Sequence, residues 1–142
     1  SPAAMASILG QAFLDTNVLV SSALTQGICR DLIAEAVRGG YRAVVSATVI
    51  QEYRSVMRRQ EMAGENVEAT VRMILEVCEL ATVSPAVVPH LSGAADRRLV
   101  GEAIAAGAEF FVTGDKDILE RAADLPVKIV SPRAFLELLT KR

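Results

Sequence analysis

Short apolar runs alternate along the chain with longer segments in which apolar residues recur every three or four positions. The runs predict strands at 11–14, 42–45, 80–83, 110–113 and 127–130. The periodic segments predict helices at 18–24, 29–38, 48–59, 67–78, 99–106 and 117–122, and a last helix that Ser131 and Pro132 open. Helices and strands therefore alternate from one end of the chain to the other.

This alternation determines the expected fold class. Because each predicted strand is reached through a helix, successive strands should be parallel, with right-handed crossovers, and helices should cover both faces of the sheet. We expect an α/β fold, a three-layer α/β/α sandwich around a central, mostly parallel sheet. No repeat or linker divides residues 1–142, so we expect one domain, in which residues 1–4 resemble the remnant of a purification tag.

Local signals mark where several elements end. Gly39 and Gly40 predict a left-handed cap after the second helix. Residues 60–66 read as a polar connection, and residues 84–93, with two prolines and a glycine, read as a loop.

The composition of the chain constrains its fold and its function only weakly. Hydrophobic residues make up 51% of the chain and aromatic residues 4%, so aliphatic side chains must form most of the core. The formal net charge of -2 provides no general attraction to nucleic acid, so such binding would need a local basic patch.

Cys29 and Cys78 lack the spacing of a zinc or redox pair and are predicted to be buried free thiols. With no signal peptide and no run long enough to cross a bilayer, we expect a cytoplasmic protein.

Four acidic residues are the strongest candidates for chemistry. Asp15 and Asp115 follow apolar strands, Glu52 lies in the early turns of a predicted helix, and Asp96 stands just before another. Open α/β sheets gather functional groups beyond the carboxyl ends of their strands, so the four carboxylates are expected to share one cleft. Each acid alone is explained as well by helix capping or a turn, but the joint placement favours a site.

The residue types in this set indicate the chemistry. Clustered carboxylates repel one another unless a cation lies between them, and oxygen ligands without His or Cys favour Mg²⁺ or Mn²⁺ over zinc. Such ions activate water and stabilise charge during phosphodiester hydrolysis. The single histidine, His90, lies in the proline-containing loop and is interpreted as a surface residue, which argues against a serine or cysteine hydrolase.

Four ordered segments resemble the successive motifs of the PIN domain family. They are FLDTNVLV at 13–20, Ser46 with Glu52, Asp96 with Leu99 and Ala103, and VTGDKDIL at 112–119. The sequence IVSPRAFL at 129–136 fits the same family. The chain is most similar to the VapC-type toxin ribonucleases of prokaryotic toxin-antitoxin operons.

The resemblance implies a PIN-like nuclease domain, a Mg²⁺- or Mn²⁺-dependent endoribonuclease that an antitoxin silences. By this resemblance the metal-binding and catalytic residues are Asp15, Glu52, Asp96 and Asp115, and the accessory polar residues are Thr16, Asn17, Ser46, Thr113 and Asp117. Capping alone would also explain Asn17 and Asp117. Residues 91–95 lack the acids that relatives carry before the third carboxylate, so we expect one firm and one weak ion site.

Basic and apolar surfaces suggest partners. Candidate RNA-binding residues are Arg54, Arg58, Arg59, Arg97, Arg98 and Lys116, with solvated helix faces or ion pairs to Glu as the alternative. The helix at 67–78 and the last helix could form a homodimer or antitoxin-binding surface, although core packing explains the same pattern.

Two other functions stay open: a catalytically degenerate PIN-fold protein-binding module, and a metal-dependent DNA nuclease or phosphatase.

Overall fold

The computed structural model describes residues 10–88, 91, 93–121 and 124–141. Within these ranges the chain forms five strands, β1 (Gln11–Leu14), β2 (Arg42–Ser46), β3 (Glu79–Ala81), β4 (Phe110–Val112) and β5 (Lys128–Val130). Its described helices are α1 (Thr16–Leu24), α2 (Ile28–Val37), α3 (Ala47–Arg59), α4 (Gly64–Val77), α5 (Ala94–Ala105), α6 (Lys116–Glu120) and α7 (Pro132–Thr140).

The strands form one sheet in the order β3-β2-β1-β4-β5, and every pairing between neighbours is parallel. The chain first builds outward from β1 to β3 and then returns to the other side of β1 to add β4 and β5. The strand order therefore reverses between β1 and β4. In open α/β sheets this reversal leaves a crevice beyond the carboxyl ends of the two strands, and ligands bind there.

Helices on both faces of the sheet bury its central strands, which confirms the predicted three-layer α/β/α sandwich. Phe13 on β1 and Phe111 on β4 stack with their ring centroids 5.6 Å apart. Tyr41 and Phe110 pack against Phe135 of α7. Helix α3 packs against α1 and α4, whereas α5 packs against β4. The helices that begin at the carboxyl ends of the strands are thus held by a continuous apolar core.

Several predicted boundaries differ from the structure. Residues 64–66 were predicted to lie in a connection, but they form the first turn of α4, because the amides of Asn66 and Val67 bond the Ala63 carbonyl. A glycine is tolerated at a helix start, where the amides need no partner within the helix. Helix α1 begins at Thr16 instead of residue 18, directly after its N-cap Asp15. The third strand covers 79–81 instead of 80–83.

Other local predictions have mixed outcomes. Gly39 has a φ of +83° and ends α2 in the predicted left-handed cap. Both cysteines are free thiols, but only Cys78 is buried, and Cys29 is partly exposed. No helix in the described ranges is long and apolar enough to cross a membrane. Residues 1–4 and His90 lie outside the described residues.

A close contact between α5 and the preceding segment provides a test of the packing. The Ala86 amide donates to the Gly101 carbonyl at 2.9 Å, and a Cβ at position 101 would lie 2.3 Å from the Ala86 oxygen. We expect Gly101→Ala to lower the free energy of unfolding by about 1 to 3 kcal/mol in urea, the usual cost of overpacking. Gly64→Ala is the control, since a Cβ there meets open space. Equal effects of the two substitutions would contradict this packing.

Candidate active site

A pocket of about 440 Å³ lies beyond the carboxyl ends of β1 and β4, where the strand order reverses. All four candidate acids line this acidic pocket, together with polar Thr16 and Asn17 and apolar residues from α1, α3 and α5. The acids come from four different elements, and they are Asp15, Glu52, Asp96 and Asp115. The fold thus brings together residues up to 100 positions apart.

Asp15 is the buried centre of the acidic pocket. It follows β1 and caps α1, with its Oδ1 accepting from the Thr16 amide at 2.7 Å. Its Oδ2 accepts from the Thr113 hydroxyl at 2.7 Å and from Asn17 Nδ2 at 3.2 Å. The side chain is fixed on both oxygens, and only 6% of the residue is exposed. Capping and site geometry are therefore two roles of one side chain.

Thr113 and Asn17 connect the ends of β1 and β4. The Thr113 hydroxyl accepts from the Asp115 amide at 3.0 Å and from Asn17 Nδ2 at 3.3 Å, while it donates to Asp15. Asn17 Oδ1 in turn accepts from the Gly114 amide at 3.0 Å. Asn17 therefore is not the cap of α1, which is Asp15, and instead bridges two segments that carry acids.

Glu52 projects from α3 toward the same pocket. The Thr16 hydroxyl donates to its Oε2 at 2.8 Å, a bond that spans 36 positions in sequence. Thr16 therefore joins two of the acids, because its amide bonds Asp15 and its hydroxyl bonds Glu52.

Asp96 and Asp115 complete the set of four acids. Asp96 lies in the first turn of α5, and Asp115 caps α6 by accepting from the Asp117 amide at 2.9 Å. The interpretation of Asp117 as the cap of this helix is wrong, since it is an exposed residue of the first turn. Its negative charge nevertheless lies near enough to affect Asp96.

The environment of the acidic pocket disfavours the ionised form of its carboxyl groups. The pKa of Asp15 is raised to about 6, mainly by burial and to a lesser extent by the charges of Glu52 and Asp96, while the hydrogen bonds from Thr113 and Thr16 lower it. The pKa of Asp96 is raised by burial and then by the charges of Asp115 and Asp117. Both shifts have the direction expected when carboxylates are crowded without a cation.

The donor set fits a hard divalent ion, although the carboxylates surround the pocket and do not meet at one point. In the described part of the chain, no three acidic, histidine or cysteine side chains are close enough to form a ready-made ion site. Mg²⁺ and Mn²⁺ prefer carboxylate oxygens and keep several waters, which lets them span a pocket wider than one ion. An added cation would reduce the repulsion between these negative charges and would lower the raised pKa of Asp15.

The hydrogen bonds of Ser46 go to residues other than the four acids. Ser46 caps α3 by accepting from the Val49 amide, and it donates to Oε1 of Glu102 at 2.8 Å. Glu102 is a buried acid on α5 that the sequence analysis missed, with 3% of the residue exposed. One signal was available, because Glu102 lies one turn after Leu99 on the buried face of a helix otherwise rich in small residues.

The candidate RNA-binding residues have different surroundings. Arg54 forms a two-bond ion pair with Glu68 at 3.0 Å, as the alternative to RNA binding anticipated. Arg97 Nη1 donates to the Leu91 carbonyl at 2.7 Å, and Arg98 lies 3.6 Å from Glu102. Arg58 and Lys116 are exposed.

A second groove adjoins the acidic pocket. It has a volume of about 800 Å³, shares Glu52, Val56 and Ala95 with the acidic pocket, and carries two exposed arginines, Arg59 and Arg98. We call it the arginine groove. It offers positive charge directly beside the acids.

Apolar side chains remain exposed on the helices proposed to bind a partner. Met73 and Leu75 of α4 are 47% and 40% exposed, and Leu138 of α7 is 39% exposed. Val71 and Ile74 of α4 and Leu139 of α7 are buried, so core packing accounts for one face of each helix.

Comparisons with known proteins agree with this geometry. A PIN domain family model matches residues 11–117. The chain is similar to a chain in the structure of VapBC2 from Rickettsia felis bound to a DNA fragment from their promoter, at 13% identity and a TM-score of 0.62, covering 85% of this chain and 98% of that one. It is also similar to a chain of VapBC-1 from nontypeable Haemophilus influenzae, at 16% identity and a TM-score of 0.65, covering 87% and 98%.

No curated protein sequence matches the chain significantly. At these low identities the solved structures demonstrate a common fold, whereas the family model covers more than half of the chain and all four candidate acids. The chain therefore belongs to the PIN domain family.

Proposed function

We propose that this chain is a Mg²⁺- or Mn²⁺-dependent endoribonuclease that hydrolyses RNA phosphodiester bonds in the acidic pocket. The observation that carries the proposal is the convergence of Asp15, Glu52, Asp96 and Asp115 on one pocket at the switch point of a PIN fold. In this proposal the chain forms one nuclease domain that acts in the cytoplasm.

The four carboxylates would hold the ion, which when bound activates a water and neutralises charge on the phosphate. Thr113, Asn17 and Thr16 keep Asp15 in a fixed rotamer, so both of its oxygens are oriented before an ion arrives. Thr16 orients Glu52 in the same way. Preorganised groups stabilise developing charge most strongly where bulk water is excluded. The low exposure of Asp15 fits this condition.

The arginine groove is the proposed path of the RNA backbone, because phosphates attract arginine and this groove opens beside the acids. We expect Arg59→Ala to weaken RNA binding about two- to tenfold at low salt and to reduce the salt dependence by roughly one phosphate contact. Arg54→Ala is the matched control on the same helix, since Glu68 already neutralises Arg54. Fluorescence anisotropy with a labelled RNA measures both, and a larger loss in Arg54→Ala would contradict the proposed path.

The proposed partner is an antitoxin protein. Two structural neighbours come from VapBC structures, and exposed apolar residues on α4 and α7 offer a surface for such a partner or for a homodimer. In this view the chain is the toxin of a toxin-antitoxin pair.

A substrate panel tests the proposed reaction. With Mn²⁺ present, we expect cleavage of RNA, no cleavage of DNA or of a phosphomonoester at matched salt, and loss of RNA cleavage in excess EDTA. Cleavage of DNA or release of phosphate would instead support the nuclease or phosphatase alternative. Absence of both metal binding and cleavage would support the protein-binding module.

A further inference from the structure

We propose that Glu102, a buried acid outside the acidic pocket, is a positioning residue that fastens the Glu52 helix to the Asp96 helix. The Ser46 hydroxyl donates to its Oε1 at 2.8 Å, and the Thr48 hydroxyl donates to its Oε2 at 2.8 Å. Arg98 Nε donates to the Thr48 hydroxyl at 3.2 Å and lies 3.6 Å from Glu102 Oε2. We call these four side chains the Glu102 cluster.

The Glu102 cluster joins two helices that otherwise have different packing partners. Ser46 and Thr48 stand at the start of α3, and Arg98 and Glu102 stand on α5. Helix α3 packs mainly against α1 and α4, whereas α5 packs against β4. The arginine groove lies between α3 and α5 and is lined by residues of both. Among the described residues, the hydrogen bonds of the cluster are polar contacts that span this groove.

Fixing Thr48 also fixes Glu52. The two residues are four positions apart on one helix, so they lie on the same face one turn from each other. Asp96 lies about 1.7 turns before Glu102 on α5. A bond between Thr48 and Glu102 therefore determines how far Glu52 lies from Asp96, and that distance decides whether both carboxylates reach the same ion.

The free-energy cost of burying the Glu102 carboxylate indicates that the cluster has a specific role. Burying a carboxylate is unfavourable unless it is paired and hydrogen bonded, and an apolar residue of similar size often stabilises a core as well or better. Glu102 is 3% exposed yet has hydroxyl donors on both oxygens. An acid at position 102 therefore contributes more to the relative placement of α3 and α5 than to the stability of the core.

This inference rests on the proposed function for its effect on the ion, and its test uses two readouts other than activity. In Glu102→Ala we expect the Mn²⁺ dissociation constant to rise about tenfold by calorimetry, the lower end of the effect of outer supporting residues. In the metal-free protein we expect faster amide hydrogen exchange in α3 and in the part of α5 that carries Arg98 and Glu102. Glu102→Gln should restore both, because its amide can bond both hydroxyls once they reorient.

Phe135→Leu is the control for general destabilisation, because Phe135 packs with Tyr41 and Phe110 in the core and is not part of the cluster. It should lower the melting temperature without changing Mn²⁺ affinity. Wild-type Mn²⁺ affinity in Glu102→Ala, or an equal loss in Phe135→Leu, would overturn the inference. A wild-type chain that binds no Mn²⁺ would overturn the proposed function, and the exchange comparison would still decide whether Glu102 fastens the two helices.

Discussion

Asp15→Asn is expected to reduce RNA cleavage by at least about 10³-fold, equivalent to roughly 4 kcal/mol of lost transition-state stabilisation. The substitution removes one charge from the centre of the acidic pocket while keeping the size of the side chain. Asparagine can still accept from the Thr16 amide and cap α1, so the variant should fold. The initial rate on a labelled RNA in Mn²⁺ measures the loss, and circular dichroism checks the fold.

Asp31→Asn is the matched control, since Asp31 is an exposed acid in the first turn of α2, outside the acidic pocket. It should retain wild-type cleavage. Asp96→Asn should lose activity as Asp15→Asn does, although Asp96 is less buried. Cleavage that persists in both variants would refute the assignment of these carboxylates.

The metal-free protein is expected to lose stability as pH rises from about 4 to beyond 6. Burial and neighbouring charges raise the folded-state pKa of Asp15 from 3.8 to about 6, so the folded protein binds the proton more tightly than the unfolded chain does. The resulting stabilisation is complete below pH 3.8 and is lost as pH passes 6. It amounts to about 3 kcal/mol, of which roughly two thirds is lost between pH 4.5 and 7.5.

The difference between wild type and Asp15→Asn isolates this contribution, because the other titrating groups are common to both. Urea unfolding at pH 4.5, 5.5, 6.5 and 7.5 in EDTA measures it. Asp15→Asn should show a weaker decline in the free energy of unfolding over this range. Identical pH profiles would mean that Asp15 is not held in a charge-disfavouring environment.

The positions of Asp15 and Asp115 could be predicted because both follow apolar strands, and parallel strands present their carboxyl ends at one edge. Their closeness could not be predicted in the same way. It depends on β1 and β4 being neighbours, and strand order is a property of the assembled sheet. The bond between Thr113 and Asp15 joins residues 98 positions apart, so no local pattern reveals it.

Contacts between helices were the hardest to predict. The helical periodicity of α3 and α4 was visible, but the pairing of Arg54 with Glu68 depends on how the two helices cross. Glu102 was missed because a lone acid in a run of small residues is usually solvated, and only the packed structure shows its two hydroxyl partners. The glycine at position 64 favours a break by sequence alone, because glycine occurs in loops more often than at helix starts.

The most direct test of the central claim is the anomalous scattering of a crystal soaked in Mn²⁺. The account predicts manganese density within the acidic pocket, coordinated by oxygens of Asp15 and of at least one of Glu52, Asp96 and Asp115. Density confined to other surfaces, or none at a concentration that supports RNA cleavage, would contradict it.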